Sequence, residues 1–170
     1  ITTVPIDVHL MVNHPEDIIP MCLEAGADII SFHPETANNK IFRLLNQIKD
    51  AGKKCGVVLN PATPAESIAE YAHLLDKVTV MSVDPGYAGQ KFIPESLNKI
   101  RKLINMRKNN GYRYLTEIDG SCNEKTFGQI AESGVDVFIV GTSGLFSLHE
   151  DVSQAWDRMI EIFQRETVAA

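Results

Sequence analysis

Two short apolar segments of this chain carry pairs of polar side chains where a protein core would ordinarily be apolar. One segment holds Asp7 and His9, and the other holds Glu117 and Asp119, each pair two positions apart. Side chains two positions apart on a strand point to the same face, so the members of each pair face the same way. A buried polar group needs a partner or a function, and a histidine there is a candidate ligand or catalytic group. We therefore predict a polar interior with His9 and Asp119 in a functional site.

Three glycine-containing clusters, at 84–90, 118–123 and 140–146, each follow an apolar run. Glycine lets the backbone approach a ligand closely, and free backbone N–H groups at the start of a helix attract anions. Each of the first two clusters alone is consistent with an ordinary turn, whereas the third offers backbone N–H groups and two hydroxyls to an anion. Three such clusters on one rim indicate a binding site. The residues predicted to contact the ligand are His9, Gly86, Tyr87, Ala88, Gly89, Asp119, Gly120, Ser121, Gly141, Thr142 and Ser143.

These residues must be positioned by a repeating set of elements. Strands alternating with helices at such spacing form βαβ units, so the strands should be parallel, paired in chain order, with their carboxyl ends at one ligand-binding edge. Two architectures stay open: a doubly wound open sheet, or a barrel, which needs eight strands, without its first two units. The predicted strands are 6–12, 28–33, 54–60, 77–84, 114–119 and 135–141, and the predicted helices are 15–25, 38–50, one that begins at 64, 94–108, a short one ending near 131, and 151–165.

Composition narrows the class of protein. The chain has 170 residues and a net charge of −6, which argues against a nucleic-acid partner. No apolar stretch approaches the roughly 20 residues of a membrane span, and no signal peptide is visible. Three cysteines form no CxxC pair, so free thiols in a reducing cytoplasm are expected. We find no linker or second domain and expect one domain over residues 1–170.

Six motifs, in order along essentially the whole chain, resemble the ribulose-phosphate 3-epimerase family. That family is a (β/α)8 TIM barrel of the ribulose-phosphate-binding type, so the resemblance implies an α/β fold in which the six strands here are strands three to eight. The first two βα units are then absent from this chain. The motifs are Asp7-Val-His-Leu-Met-Val12, Ala25-Gly-Ala-Asp28, Leu59-Asn-Pro-Ala-Thr-Pro64, Met81-Ser-Val-Asp-Pro-Gly86, Gly89-Gln-Lys-Phe-Ile-Pro94 and Glu117-Ile-Asp-Gly120.

The resemblance also implies the chemistry. The family holds one divalent metal (zinc, manganese, cobalt or iron are the candidates here) with two His and two Asp, and exchanges the C3 proton of a ketose phosphate between two aspartates. His9 matches one metal ligand, and Asp119 matches a second metal ligand and one catalytic acid/base. We expect these two side chains to approach the metal from neighbouring strand ends. The remaining His and Asp belong to a second-strand His-x-Asp segment that this sequence lacks.

Three loop details look closer to the D-allulose-6-phosphate 3-epimerases: Asp84–Gly89, Asp119–Asn123 and Gly141–Phe146. The favoured reaction is therefore D-allulose 6-phosphate to D-fructose 6-phosphate, with D-ribulose 5-phosphate to D-xylulose 5-phosphate as the alternative. A non-catalytic phosphate-binding remnant and a metal-free phosphate-binding barrel enzyme also stay open. The expected partners are a small phosphosugar and further copies of the chain in a homo-oligomer, with no nucleic acid and no membrane.

Overall fold

The computed structural model describes residues 2–87 and 89–168, and its centre is a six-stranded parallel sheet. The strands pair in chain order, as the βα rhythm predicts, and this order excludes the doubly wound alternative, whose strand order would reverse. The last strand is much shorter than the predicted 135–141, because only Val137 and Phe138 pair with the neighbouring strand. The strands are β1 Asp7–Leu10, β2 Ile29–Phe32, β3 Lys54–Leu59, β4 Lys77–Met81, β5 Leu115–Asp119 and β6 Val137–Phe138.

Helices connect the strands close to the predicted positions. Pro15 occupies the first turn of α1, where its missing N–H costs little, and Gly111 ends α3 in the left-handed region at φ 67°. The helix predicted from residue 64 is instead two short 3₁₀ turns, because buried Tyr71 has a non-helical φ of −125°. The helices are α1 Pro15–Glu24, α2 Ile41–Asp50, α3 Glu95–Asn110, α4 Phe127–Ala131 and α5 Val152–Val168, with 3₁₀ turns at Pro34–Thr36, Ala65–Ile68 and Ala72–Leu74 and a π-type turn at Thr142–Phe146.

The sheet curls as part of a barrel. In a flat sheet, β1 and β5 would lie about 19 Å apart, since neighbouring strands are roughly 4.8 Å apart. Instead, Nδ1 of His9 on β1 lies 3.6 Å from Oδ2 of Asp119 on β5, and Asp7 on β1 is ion-paired with Lys77 on β4. These contacts cross the interior of the curl. The barrel-type fold predicted from the sequence is therefore confirmed for the six strands.

The two faces of the sheet have different packing. The outer face carries the main apolar core, in which Ile30, Val57 and Val80 pack against the helices. The inner face has only a small apolar cluster of Val58, Met81 and Val83. Among the residues that the structure describes, no helix is long and apolar enough to cross a membrane.

The rest of the inner face is polar, as the strand alternation predicts. Buried Lys77 bonds Asp7 and lies 2.8 Å from Oε1 of Glu117, and Thr79 donates to the same oxygen at 2.7 Å. The inward-facing carboxylates of Asp7 and Glu117 are thus both paired with the interior lysine Lys77. His9 and Asp119 lie on the same inner face, two residues nearer the carboxyl ends of their strands than Asp7 and Glu117. Among the described residues, no lysine or arginine is paired with either side chain, and the two form a separate site.

Candidate active site

A cavity of about 550 Å³ opens at the carboxyl ends of β4, β5 and β6. It is bounded by the three glycine-containing clusters, which therefore converge as predicted. His9 does not line the cavity itself but lies directly behind Asp119, and Ala88 falls outside the described residues. The predicted residues that line the cavity are Gly86, Tyr87, Gly89, Asp119, Gly120, Ser121, Gly141, Thr142 and Ser143.

His9 and Asp119 meet at the base of this cavity. Their side chains are about one-fifth and one-quarter exposed, and they reach each other from β1 and β5 across the barrel interior. The expectation of neighbouring strand ends is therefore wrong, because β2, β3 and β4 lie between the two strands and only the curl of the sheet joins them. Nδ1 of His9 and Oδ2 of Asp119 thus face each other inside the barrel.

A second histidine stands beside the first. Nε2 of His33, which follows the end of β2, lies 2.9 Å from Nε2 of His9. Burial lowers the pKa of His33, and the neighbouring His9 lowers it further, against a smaller opposite effect of Glu35. His33 is therefore neutral near pH 7, and its Nδ1 has no hydrogen-bond partner among the described residues.

Hydrogen bonds tie the loops of the cavity to one another. Nε2 of Gln90 donates to the backbone oxygen of Tyr87 at 3.0 Å, and Oγ of Ser121 donates to the backbone oxygen of Gln90 at 2.6 Å. Nδ2 of Asn123 donates to Oγ of Ser143 at 3.3 Å. Each loop of the cavity rim is therefore hydrogen-bonded to the next.

Two glycines of the rim have different roles. A Cβ on Gly120, where φ is +117°, would lie 2.7 Å from the side chain of Val83, so this glycine is needed for the fold itself. A Cβ on Gly141 would meet nothing within 4 Å and would extend into open space beside the cavity. The lack of a side chain at Gly141 thus leaves room for a ligand instead of serving the packing.

The structure adds residues that sequence reasoning did not assign to the site. Met11 and Met81 both line the cavity. Met81 also belongs to the small apolar cluster of the inner face, whereas Met11 is half exposed. The signal for Met11 was its position two residues after His9 on the same face. Cys122 also lines the cavity, and burial raises the pKa of its thiol to about 12, so the thiol is protonated near pH 7.

The pair of His9 and Asp119 fits part of a metal site. Ligands of zinc lie at about 2.0–2.2 Å from the ion, so adjacent donors stand roughly 3–4 Å apart. The observed 3.6 Å between Nδ1 and Oδ2 meets this condition. The residues 2–87 and 89–168 bring together no group of three or more His, Cys, Asp or Glu side chains that could hold a metal. This chain therefore supplies two donors, and a complete site needs others.

The curled parallel sheet and the cavity at its carboxyl ends define a protein of the α/β-barrel class with a small-molecule site on the usual face. Residues 1–146 match the model of the ribulose-phosphate 3-epimerase family. The chain belongs to that family, as the motifs indicate.

Curated relatives agree with this assignment. A ribulose-phosphate 3-epimerase of Buchnera aphidicola is 44% identical over 144 residues, which cover 85% of this chain and 62% of the relative. The Escherichia coli K12 protein of that name is 43% identical over 83% of this chain and 62% of its own length. One from Aquifex aeolicus is 43% identical over 89% of this chain and 68% of its own. The chain thus spans about three-fifths of the length of the first two.

Solved structures support the fold alone. A tryptophan synthase α-subunit of Pyrococcus furiosus superimposes with a TM-score of 0.66 at 16% identity, covering 97% of this chain and 67% of that one. A 3-hexulose-6-phosphate synthase of Salmonella typhimurium gives a TM-score of 0.60 at 20% identity, covering 94% and 72%. These likenesses agree with the barrel fold derived above.

Proposed function

We propose that the protein containing this chain epimerises a ketose phosphate at C3, and that its substrate is D-ribulose 5-phosphate, giving D-xylulose 5-phosphate. The observation that carries the proposal is the His9–Asp119 pair at the base of a cavity formed by three glycine-containing loops. The names of the curated relatives support the pentose substrate over the hexose favoured from the sequence. The homo-oligomeric state and cytoplasmic location stay predictions.

Asp119 is proposed as one of the two acid/base groups. Its carboxylate would take the C3 proton from one face of the substrate, and the C–H electron pair would move toward the C2 carbonyl to give an enediolate. Inversion then requires a proton delivered to C3 from the opposite face by a second acid. The strand end fixes Asp119 by its backbone, and the cavity leaves its carboxylate accessible.

His9 and Asp119 would also hold the divalent cation that the family resemblance implies. When bound, such a cation supplies Lewis-acid stabilisation to the oxygens that become negative as the proton leaves. Mixed nitrogen and oxygen donors do not choose among zinc, manganese, cobalt and iron. The two donors provide only part of the coordination shell, and residues 2–87 and 89–168 bring together no group of three or more candidate ligands, so the shell needs further donors.

The phosphate is proposed to bind between the loops that contain Gly86–Gly89, Ser121 and Gly141–Ser143. No Lys or Arg is among the described residues that line the cavity, so backbone N–H groups and hydroxyls would have to bind the anion. The turn after Gly141 has only five residues, so its dipole contributes less than that of a long helix. Close backbone approach at Gly141 is therefore central to phosphate affinity.

Gly141→Leu is expected to raise KM for the phosphosugar about tenfold or more, a loss of roughly 1.4 kcal/mol. The leucine side chain would extend into the space that the phosphate needs, and its Cβ would meet no other atom within 4 Å. Steady-state kinetics of the Leu variant and of Gly141→Ala should show a graded increase in KM. An unchanged KM in the Leu variant would remove this loop from the site.

The proposed reaction is tested by incubating the natural protein that contains this chain with D-ribulose 5-phosphate in deuterium oxide. We expect D-xylulose 5-phosphate to form with solvent deuterium at C3, because the proton leaves and returns at that carbon. A protein that binds no divalent metal and shows no C3 exchange would instead be the non-catalytic remnant. Turnover that is indifferent to strong chelators and to metal addition would favour a metal-free barrel enzyme.

D-Allulose 6-phosphate is a second candidate substrate. Asp84, Ser121–Cys122 and Thr142–Ser143, the residues that resemble the hexose branch, all line the cavity. We propose that they border the phosphate, where a longer substrate would have to be accommodated. Discrimination by one carbon unit is often only about 10- to 200-fold, so activity on both sugars is expected. The preferred substrate is found by comparing kcat/KM for D-allulose 6-phosphate with kcat/KM for D-ribulose 5-phosphate. A clear preference for the hexose phosphate would reverse the proposed substrate.

A further inference from the structure

Behind the proposed metal ligand His9 lies a line of side chains that the reaction itself does not use. His33 is 3% exposed, and its two ring nitrogens face different neighbours. Nε2 lies 2.9 Å from Nε2 of His9, and Nδ1 lies 3.9 Å from Oε2 of Glu35. The order across the site is therefore Asp119, His9, His33 and Glu35, and it runs from the cavity to the surface.

We propose that His33 and Glu35 are positioning residues, which fix the tautomer and the ring orientation of His9 so that its Nδ1 lone pair faces Asp119 and the metal. This inference rests on the proposed metal-dependent function. It assigns a role to two residues that neither line the cavity nor belong to the expected ligand set.

The direction of the hydrogen bond between the two histidines follows from the geometry. Nδ1 is the His9 nitrogen that faces Asp119, so these two side chains would hold a shared metal through Nδ1 of His9. The imidazole of His9 then carries its proton on Nε2 and donates it to His33. Nε2 of His33 must be a bare acceptor, since two N–H groups cannot face each other at 2.9 Å. The proton of His33 is therefore on Nδ1.

The carboxylate of Glu35 favours the tautomer of His33 that carries its proton on Nδ1. An N–H at Nδ1 of His33 faces the carboxylate favourably, whereas a bare lone pair there would face a negative charge. Oε1 of Glu35 accepts hydrogen bonds from Nδ2 of Asn60 at 3.1 Å and from the hydroxyl of Thr63, which leaves Oε2 directed at His33. The loop that carries Asn60 is itself held, because Nζ of buried Lys99 donates to its backbone oxygen.

Partners behind a ligand of this kind typically change metal affinity about 10- to 100-fold when they are removed. We therefore expect His33→Leu to weaken zinc binding by about 10- to 100-fold. His33→Gln can place an amide oxygen near the former Nε2 and should restore most of the affinity. Glu35→Gln should weaken zinc binding toward the lower end of that range. Glu66→Gln, at an exposed carboxylate paired with Lys102, is the matched control and should leave zinc binding unchanged.

The experiment measures zinc dissociation constants of these variants in the natural protein by competition with a chelating dye. Nitrogen-15 NMR of the zinc-loaded protein adds a signature that a merely structural role would not give. We expect a slowly exchanging proton on Nε2 of His9, lost in His33→Leu and regained in His33→Gln. Circular dichroism and urea unfolding confirm that each variant is folded, and Glu35→Gln changes only a partly exposed side chain.

Two outcomes separate the inference from the function on which it rests. If the natural protein binds zinc and epimerises, but His33→Leu and Glu35→Gln keep its affinity, or Nδ1 of His9 carries the proton, the positioning role is overturned. If the natural protein neither binds zinc nor exchanges the C3 proton, the proposed function fails, and the positioning role fails with it.

Discussion

Asp119→Asn is expected to lower kcat and kcat/KM together by at least about 10²–10⁴-fold, with little change in KM. The amide keeps the shape of the carboxylate and its place at the end of β5, so the cavity should persist. It cannot take a proton from C3, and it is a poorer metal ligand. Initial rates of D-xylulose 5-phosphate formation and the rate of deuterium entry at C3 measure the loss.

Asp157→Asn is the control for this substitution. Asp157 is an exposed carboxylate on α5, and the same change there should leave both rates unaltered. Rates within about threefold of the natural protein in Asp119→Asn would remove Asp119 as an acid/base, because removing such a group usually costs 10²-fold or more. Lost exchange with a retained zinc affinity would separate the proton-transfer role from the metal role.

Much of this site could be predicted from the sequence because strand alternation is a strict rule. The side-chain period of two placed Asp7 and His9 on one face, and the glycine clusters marked where the strands end. The parallel rhythm then required those ends to share an edge. Family motifs added the roles proposed for His9 and Asp119, which spacing alone does not give.

What the sequence could not provide was contact across the barrel. Lys77 begins β4 and reads as an ordinary lysine at a strand start, yet it bonds Asp7, 70 positions earlier in the chain. His33 is 24 positions from His9, and their approach depends on the register of β1 with β2 and on the end of β2. Such pairs follow from the curl and the register of the sheet, which local patterns do not encode.

The interior lysine also explains how a barrel can keep charged groups inside without a catalytic use for all of them. Lys77 and Glu117 are less than one-tenth exposed, and their charges lie 2.8 Å apart. Thr79 supplies a further hydrogen bond to Glu117, and Asp7, about one-third exposed, supplies a second negative charge. The lysine thus compensates two carboxylates, so its removal leaves a buried charge without its partner.

Lys77→Met is therefore expected to lower the free energy of unfolding by about 3–5 kcal/mol. Methionine fills a similar volume but leaves Glu117 buried and uncompensated. Urea unfolding followed by circular dichroism measures the loss, and Lys54→Met, at the exposed first residue of β3, should change stability by no more than about 0.5 kcal/mol.

A double substitution tests why Lys77→Met is expected to lower stability. If the cost comes from the orphaned carboxylate, Glu117→Gln added to Lys77→Met should recover part of the stability, and the cycle should show a coupling of roughly 0.5–3 kcal/mol between the two positions. Strictly additive effects would mean that the lysine stabilises the interior through its packing and not through its charge. A loss below about 1 kcal/mol in Lys77→Met alone, no more than an ordinary substitution costs, would mean that water reaches and compensates Glu117.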